Sequence, residues 1–116
     1  MYAYIGCRTT KERNARGKGI RVYEINNGAW ELKQIAKGQV NPSYLCLNEK
    51  QDRLYAIHGD FSEVSAYKVA EDGTLTYQNT TETHGTNPVH LTIDRTGKWL
   101  FVANLQTGGV SVIPVE

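Results

Sequence analysis

The sequence predicts an all-β fold: a partial β-propeller of about two and a half four-stranded antiparallel blades, spread over residues 1–116 as one domain. Three observations carry this. No long segment repeats apolar residues at helical spacing. Short β-branched and aromatic runs recur instead, separated by turn residues. And the stretch Asn41–Val69 returns as Asn87–Val115 without a gap, at an offset of 46 residues with seven identities. A period in the mid-forties with four strands per unit is that of a propeller blade.

The elements follow in order. The first blade piece, 1–36, carries "YAYIGC" 2–7, "GIRVYEI" 19–25 and "WELKQIA" 30–36. These match strands b, c and d of the later copy, with about seven extra residues in the loop after the first. The second piece, 41–83, is a full unit: strands a to d at 43–48, 53–58, 63–69 and 74–80. The third, 87–116, offers a, b and c at 89–94, 99–104 and 109–115. Asn27-Gly28, Asp72-Gly73, Thr96-Gly97 and Gly108-Gly109 supply the turns. Strand b, "LYAI" or "LFVA", is apolar without alternation, which fits burial on both faces between neighbouring blades. Asn41-Pro42 and Asn87-Pro88 recur at one blade position and read as turn chemistry, with Asn bonding locally and Pro fixing φ.

Composition bounds the function. The formal net charge of +1 gives no global pull toward nucleic acid or membrane. No apolar run is long enough to span a bilayer, and "MYAYIGC" does not read as a signal peptide. Cys7 and Cys46 stand far apart with no CxxC, so free thiols in the cytoplasm are expected. A propeller typically closes with about four to eight blades. The chain therefore reads as a piece of something longer, whose end blades expose apolar faces; Tyr4, Leu100 and Val102 are the expected residues, and self-association the expected result.

The stretch "GKGIRVYEI…NPSYLCLN…RLYAIH…NPVHLTIDRTGKWLFVAN…GGVSVIPV" resembles the lactonase-type seven-bladed propellers, the cycloisomerase-like 6-phosphogluconolactonases and fungal carboxymuconate cyclases. The resemblance covers essentially the whole chain, aligned to the family's N-terminal third. It implies a hydrolase of 6-phosphogluconolactone or a related sugar-acid lactone, acting in the full-length protein on a small-molecule lactone with no obligatory organic cofactor. The 116 residues alone are expected to be inactive. The chain departs from the family pattern at His58-Gly59, where members often show Asn-Glu, and at Leu105, often Tyr. A non-catalytic propeller that binds a protein or small ligand is the alternative.

On a propeller, the d–a and b–c loops share one rim. That places Asn41, Asn87, His90, His58 and Asn104 together with the long loop 8–19. Lactone hydrolysis needs a base to activate water and donors for the developing oxyanion. His90, a residue the family pattern keeps, is the expected base, with Asn104 across the ladder as orienter or donor; the bland alternative is a histidine bonded to neighbouring backbone. Arg8, Lys11 and Arg13, with Arg16 and Lys18, make the loop basic and are expected to attract an anionic lactone; the alternative is a solvated hairpin loop. His58 is expected to line the rim or serve structurally. A metal site from His58, His84 and His90 lacks ligand spacing, so no metal is expected.

Overall fold

The computed structural model describes residues 1–115; Glu116, the end of the predicted third blade piece, lies outside them. Ten strands appear in the predicted order: β1 Tyr2–Ile5, β2 Ile20–Asn26, β3 Ala29–Ala36, β4 Pro42–Leu47, β5 Arg53–His58, β6 Glu63–Val69, β7 Leu75–Glu82, β8 Pro88–Ile93, β9 Trp99–Asn104 and β10 Gly109–Pro114. They form three antiparallel meanders, β1-β2-β3, β4-β5-β6-β7 and β8-β9-β10. These correspond to strands bcd, abcd and abc of three successive blades.

Strand ends follow local chemistry. β1 stops at Ile5, short of the expected Cys7, because the chain there turns to the next blade. The Cys7 N–H donates to the Pro42 carbonyl at 2.9 Å, and a Cβ on Gly6 would stand 2.2 Å from that oxygen. Between β2 and β3, Asn27 and Gly28 both take positive φ, 51° and 81°, the two-residue turn that matches strand twist.

Two apolar layers hold the sheets. Ile20 and Val22 meet Leu54, Ala56, Tyr67 and Leu75 between the first and second sheets. Tyr55, Ile57 and Val64 meet Leu91, Leu100, Val102 and Ile113 between the second and third. β5 feeds both layers and is buried on both faces, as its unbroken apolar run predicts. β9 carries the same kind of run, yet its burial alternates, because only one of its faces has a neighbour.

That alternation corrects the expectation about exposed residues. Leu100 and Val102 point inward, Val102 with no exposure, and Tyr4 is half-buried with its hydroxyl donating to the Gly73 carbonyl at 2.7 Å. The register puts Thr92, Phe101 and Val112 in one row on the opposite face, and it is Phe101, Val110 and Val112 that meet solvent.

Candidate functional site

The Asn-Pro positions organise the rim. Both asparagines take positive φ, 44° at Asn41 and 57° at Asn87, a conformation Asn tolerates better than most residues. Each carbonyl accepts from the residue just past strand b of its own blade: Gly59 N–H to Asn41 at 3.0 Å, Leu105 N–H to Asn87 at 2.9 Å. Each side-chain Oδ1 accepts from the b–c loop of the preceding blade: Thr9 N–H to Asn41 at 2.7 Å, Asp60 N–H to Asn87 at 2.8 Å. Local turn chemistry is thus half of the role; the other half staples one blade to the next.

The basic loop is anchored by a residue that sequence reasoning passed over. Arg13 forks onto Asp60, with Nε 2.7 Å from Oδ2 and Nη2 on Oδ1, while Arg8 Nη1 lies 2.9 Å from Oδ2. Arg8 lies over Gly59, where a Cβ would come within 2.6 Å of Nη1. The Arg13 hydrogen bonds, reinforced by the charges of Arg8 and Arg13, pull the Asp60 carboxyl down to about 2. Arg13 therefore spends its fork, and Arg8 its Nη1 charge, on a protein carboxylate. Lys11, Arg16 and Lys18 remain exposed, Lys11 in a one-turn 3-10 segment, Lys11–Arg13. Asp60 lies two residues past the end of strand b in the second blade. Its counterpart in the first blade is Thr9, so the repeat itself carried no signal of a carboxylate there.

The strand-b termini show why His58 and Asn104 recur at one position. His58 is 3% exposed; its Nδ1 donates to the Val40 carbonyl and its Nε2 lies 2.6 Å from Ser65 Oγ. Asn104 is 4% exposed and donates from Nδ2 to Ser111 Oγ at 3.0 Å. Ser65 and Ser111 are themselves equivalent residues of strand c. Both pairs latch strand b to strand c inside a blade. His58 as a rim-lining contact is corrected on this ground: it is buried, and both ring nitrogens are engaged.

His90 lies elsewhere. It sits on β8 opposite Ala103 and is exposed, its ring packed against Tyr44 of β4, the equivalent position of the preceding blade, with centroids 4.6 Å apart and planes tilted by 44°. Asn104 is one step beyond Ala103, and its side chain turns to Ser111 on the opposite face. The structure brings His90 to Tyr44, not to Asn104. Among the described residues, no three His, Cys, Asp or Glu side chains cluster as a metal site would require. Cys7 and Cys46 are free thiols, and among the described residues no helix is long and apolar enough to cross a membrane.

The family described as "Lactonase, 7-bladed beta-propeller" matches residues 2–116. The chain belongs to this family. A Bacillus subtilis (strain 168) relative named 6-phosphogluconolactonase is 29% identical over 121 residues, covering 100% of the chain and 34% of the relative. A Yersinia pestis (strain Pestoides F) relative of the same name is 38% identical over 101 residues, covering 84% of the chain and 29% of the relative. A Bacteroides fragilis crystal structure superposes with a TM-score of 0.86 at 29% identity, over 99% of this chain and 32% of that one. The Pseudomonas aeruginosa periplasmic gluconolactonase, at 23% identity and TM-score 0.81, shares the fold. This lactonase-family chain spans about a third of the length of the relatives it matches.

Proposed function

We propose that these residues are the first three blade pieces, 1–36, 41–83 and 87–116, of one propeller domain in a longer lactone hydrolase. Its substrate is 6-phosphogluconolactone or a related sugar-acid lactone, and it works in the cytoplasm. The observation that carries the reading is the family match over nearly the whole chain, together with relatives that bear the name 6-phosphogluconolactonase. The free thiols favour a reducing compartment.

In this reading His90 is the general base. Its exposed ring against Tyr44 sits on the first strand of its blade, where a hydroxyl or water can approach. It takes a proton from water as the oxygen attacks the lactone carbonyl, and returns it as the ring opens. Asn104 positions the strand end rather than the proton. Lys11, Arg16 and Lys18 draw the anionic lactone toward the rim, and Arg8 and Arg13 hold their loop in place on Asp60. The competing reading is a non-catalytic binding propeller; it is favoured by the buried, engaged state of Asn104 and His58, which leaves one free candidate of the group.

Hydrolysis of 6-phosphogluconolactone by the whole protein, corrected for spontaneous opening, decides between them. His90→Ala should lower turnover roughly 10²–10⁴-fold with the denaturation midpoint unchanged. Normal turnover in the folded variant removes His90 from the chemistry. No turnover by the unaltered whole protein leaves the binding reading in place.

A further inference from the structure

Two arginines face the Asp60 carboxylate, and they use it differently. Arg13 commits its donors, with Nε 2.7 Å from Oδ2 and Nη2 on Oδ1. Arg8 brings Nη1 to 2.9 Å from Oδ2, yet that nitrogen is buried without a hydrogen bond of good geometry. Arg8 thus lends the cluster its charge and keeps its donors. A third of its side chain stays exposed, and that exposure falls on atoms other than Nη1. With the Asp60 carboxyl held down at about 2 and so ionised, two guanidiniums and one carboxylate leave one positive charge in excess.

Gly59 is the floor under Arg8. Its φ is not in the left-handed region. Its N–H donates to the Asn41 carbonyl at 3.0 Å, and its own carbonyl accepts from Asn41 Nδ2 at 3.0 Å. Conformation does not demand glycine here; space does. A Cβ at this position would stand 2.6 Å from Arg8 Nη1 and 2.7 Å from Ser43 Oγ. Ser43 is the extra residue of a bulge in β4–β5, with no partner on β5, and bulges of this kind re-aim a side chain. The guanidinium and the hydroxyl therefore converge over one glycine.

β4 is the first strand of its blade, the one that borders the central channel of a propeller. Tyr44 follows Ser43 on that strand and packs against His90 of β8. An arginine fork, a hydroxyl and the candidate base thus follow one another across the starts of β4 and β8. A phosphorylated sugar lactone is built in the same order, with a phosphomonoester at one end and the electrophilic carbonyl at the other.

We infer that Arg8, with Ser43 beside it, binds the phosphate of a phosphorylated sugar lactone, and that Gly59 and Asp60 are positioning residues that hold its fork on the rim. A planar guanidinium meets phosphate oxygens with two parallel N–H bonds, which an ammonium group cannot do. The inference rests on the reading that this rim takes a sugar-acid lactone, and it narrows that ligand to its phosphorylated form.

Calorimetric titration of the whole protein with 6-phosphogluconate and with gluconate tests it, since the two acids differ only in the phosphate. 6-Phosphogluconate should bind at least about tenfold more tightly. Arg8→Gln should abolish that preference, a loss of roughly 10–100-fold for charge-assisted bonds. Gly59→Ala keeps every charge and displaces only the far end of Arg8, so it should lose part of the same preference with the denaturation midpoint retained. Arg8→Lys should not restore it. Equal affinity for the two acids overturns the inference, as does a preference that survives Arg8→Gln. A loss of gluconate affinity as large as that of 6-phosphogluconate also overturns it, because Arg8 would then read the carboxylate. Lactone turnover is measured separately: a protein that hydrolyses no lactone but shows the Arg8-dependent preference sinks the hydrolase reading and supports this one.

Discussion

Replacing Asn41 separates the two things it does. Its side chain accepts from Thr9 N–H at 2.7 Å and donates to the Gly59 carbonyl at 3.0 Å, in a site with no solvent exposure. At about 0.5–1.5 kcal/mol per bond, Asn41→Gly should cost about 2 kcal/mol, because glycine keeps the backbone at φ 44° without strain. Asn41→Ala loses the same bonds and forces a Cβ into the left-handed region, adding about 1–2 kcal/mol. Urea unfolding of the chain, followed by far-UV circular dichroism, reads both. With an m value of roughly 1–3 kcal/mol/M, 2 kcal/mol moves the midpoint by about 1 M. Equal midpoints for the two variants would show that the φ argument is wrong. A midpoint within about 0.2 M of wild type for the glycine variant would refute the staple itself.

Other outcomes follow from the same structure. Val102→Ala should destabilise by on the order of 2 kcal/mol and Phe101→Ala by less than about 0.5 kcal/mol, since Val102 has no exposure and Phe101 has 36%; thermal melts compare the neighbours. His58→Asn should retain more stability than His58→Ala, because Asn104 already makes the latch to strand c at the equivalent place; chemical denaturation ranks them. The Asp60 carboxyl is depressed to about 2 in the fold, below an unfolded value of about 3.9. Its contribution is present above pH 4 and fades as pH falls toward 2, so Asp60→Asn should flatten the acid limb of stability over that window. The exposed row of Phe101, Val110 and Val112 should drive association; sedimentation across a concentration series should show it, and Val110→Lys with Val112→Lys should reduce it.

Strand positions were legible because strand chemistry is local: β-branched runs end at Asn-Gly and Asp-Gly, and a repeat fixes the rest. The direction each residue faces was less so. Leu100 and Val102 belong to a run with no polar alternation, and only the presence of a neighbour on one side of β9 decides which residues are buried. His58 and Asn104 looked like chemistry because polar residues end an apolar strand. Their partners, Ser65 and Ser111, lie seven residues on, a separation that acquires meaning only once strands b and c are paired. Asp60 was invisible for a different reason. Its partners, Arg13 and Arg8, come from a loop in another blade, the nearer of them 47 residues away in sequence, and no spacing rule reaches that far.

The Asn-Pro staples also bear on how the chain ages. Asparagine deamidates mainly when the backbone nitrogen of the following residue attacks the side-chain carbonyl and closes a five-membered imide. Proline has no N–H to release, so Asn41 and Asn87 are followed by the one residue that blocks this route. Asn27 precedes Gly28 in an exposed turn and has no such protection. Chemical damage on storage should therefore collect at the outer hairpin tip, while the amides that join blade to blade keep their donors and acceptors.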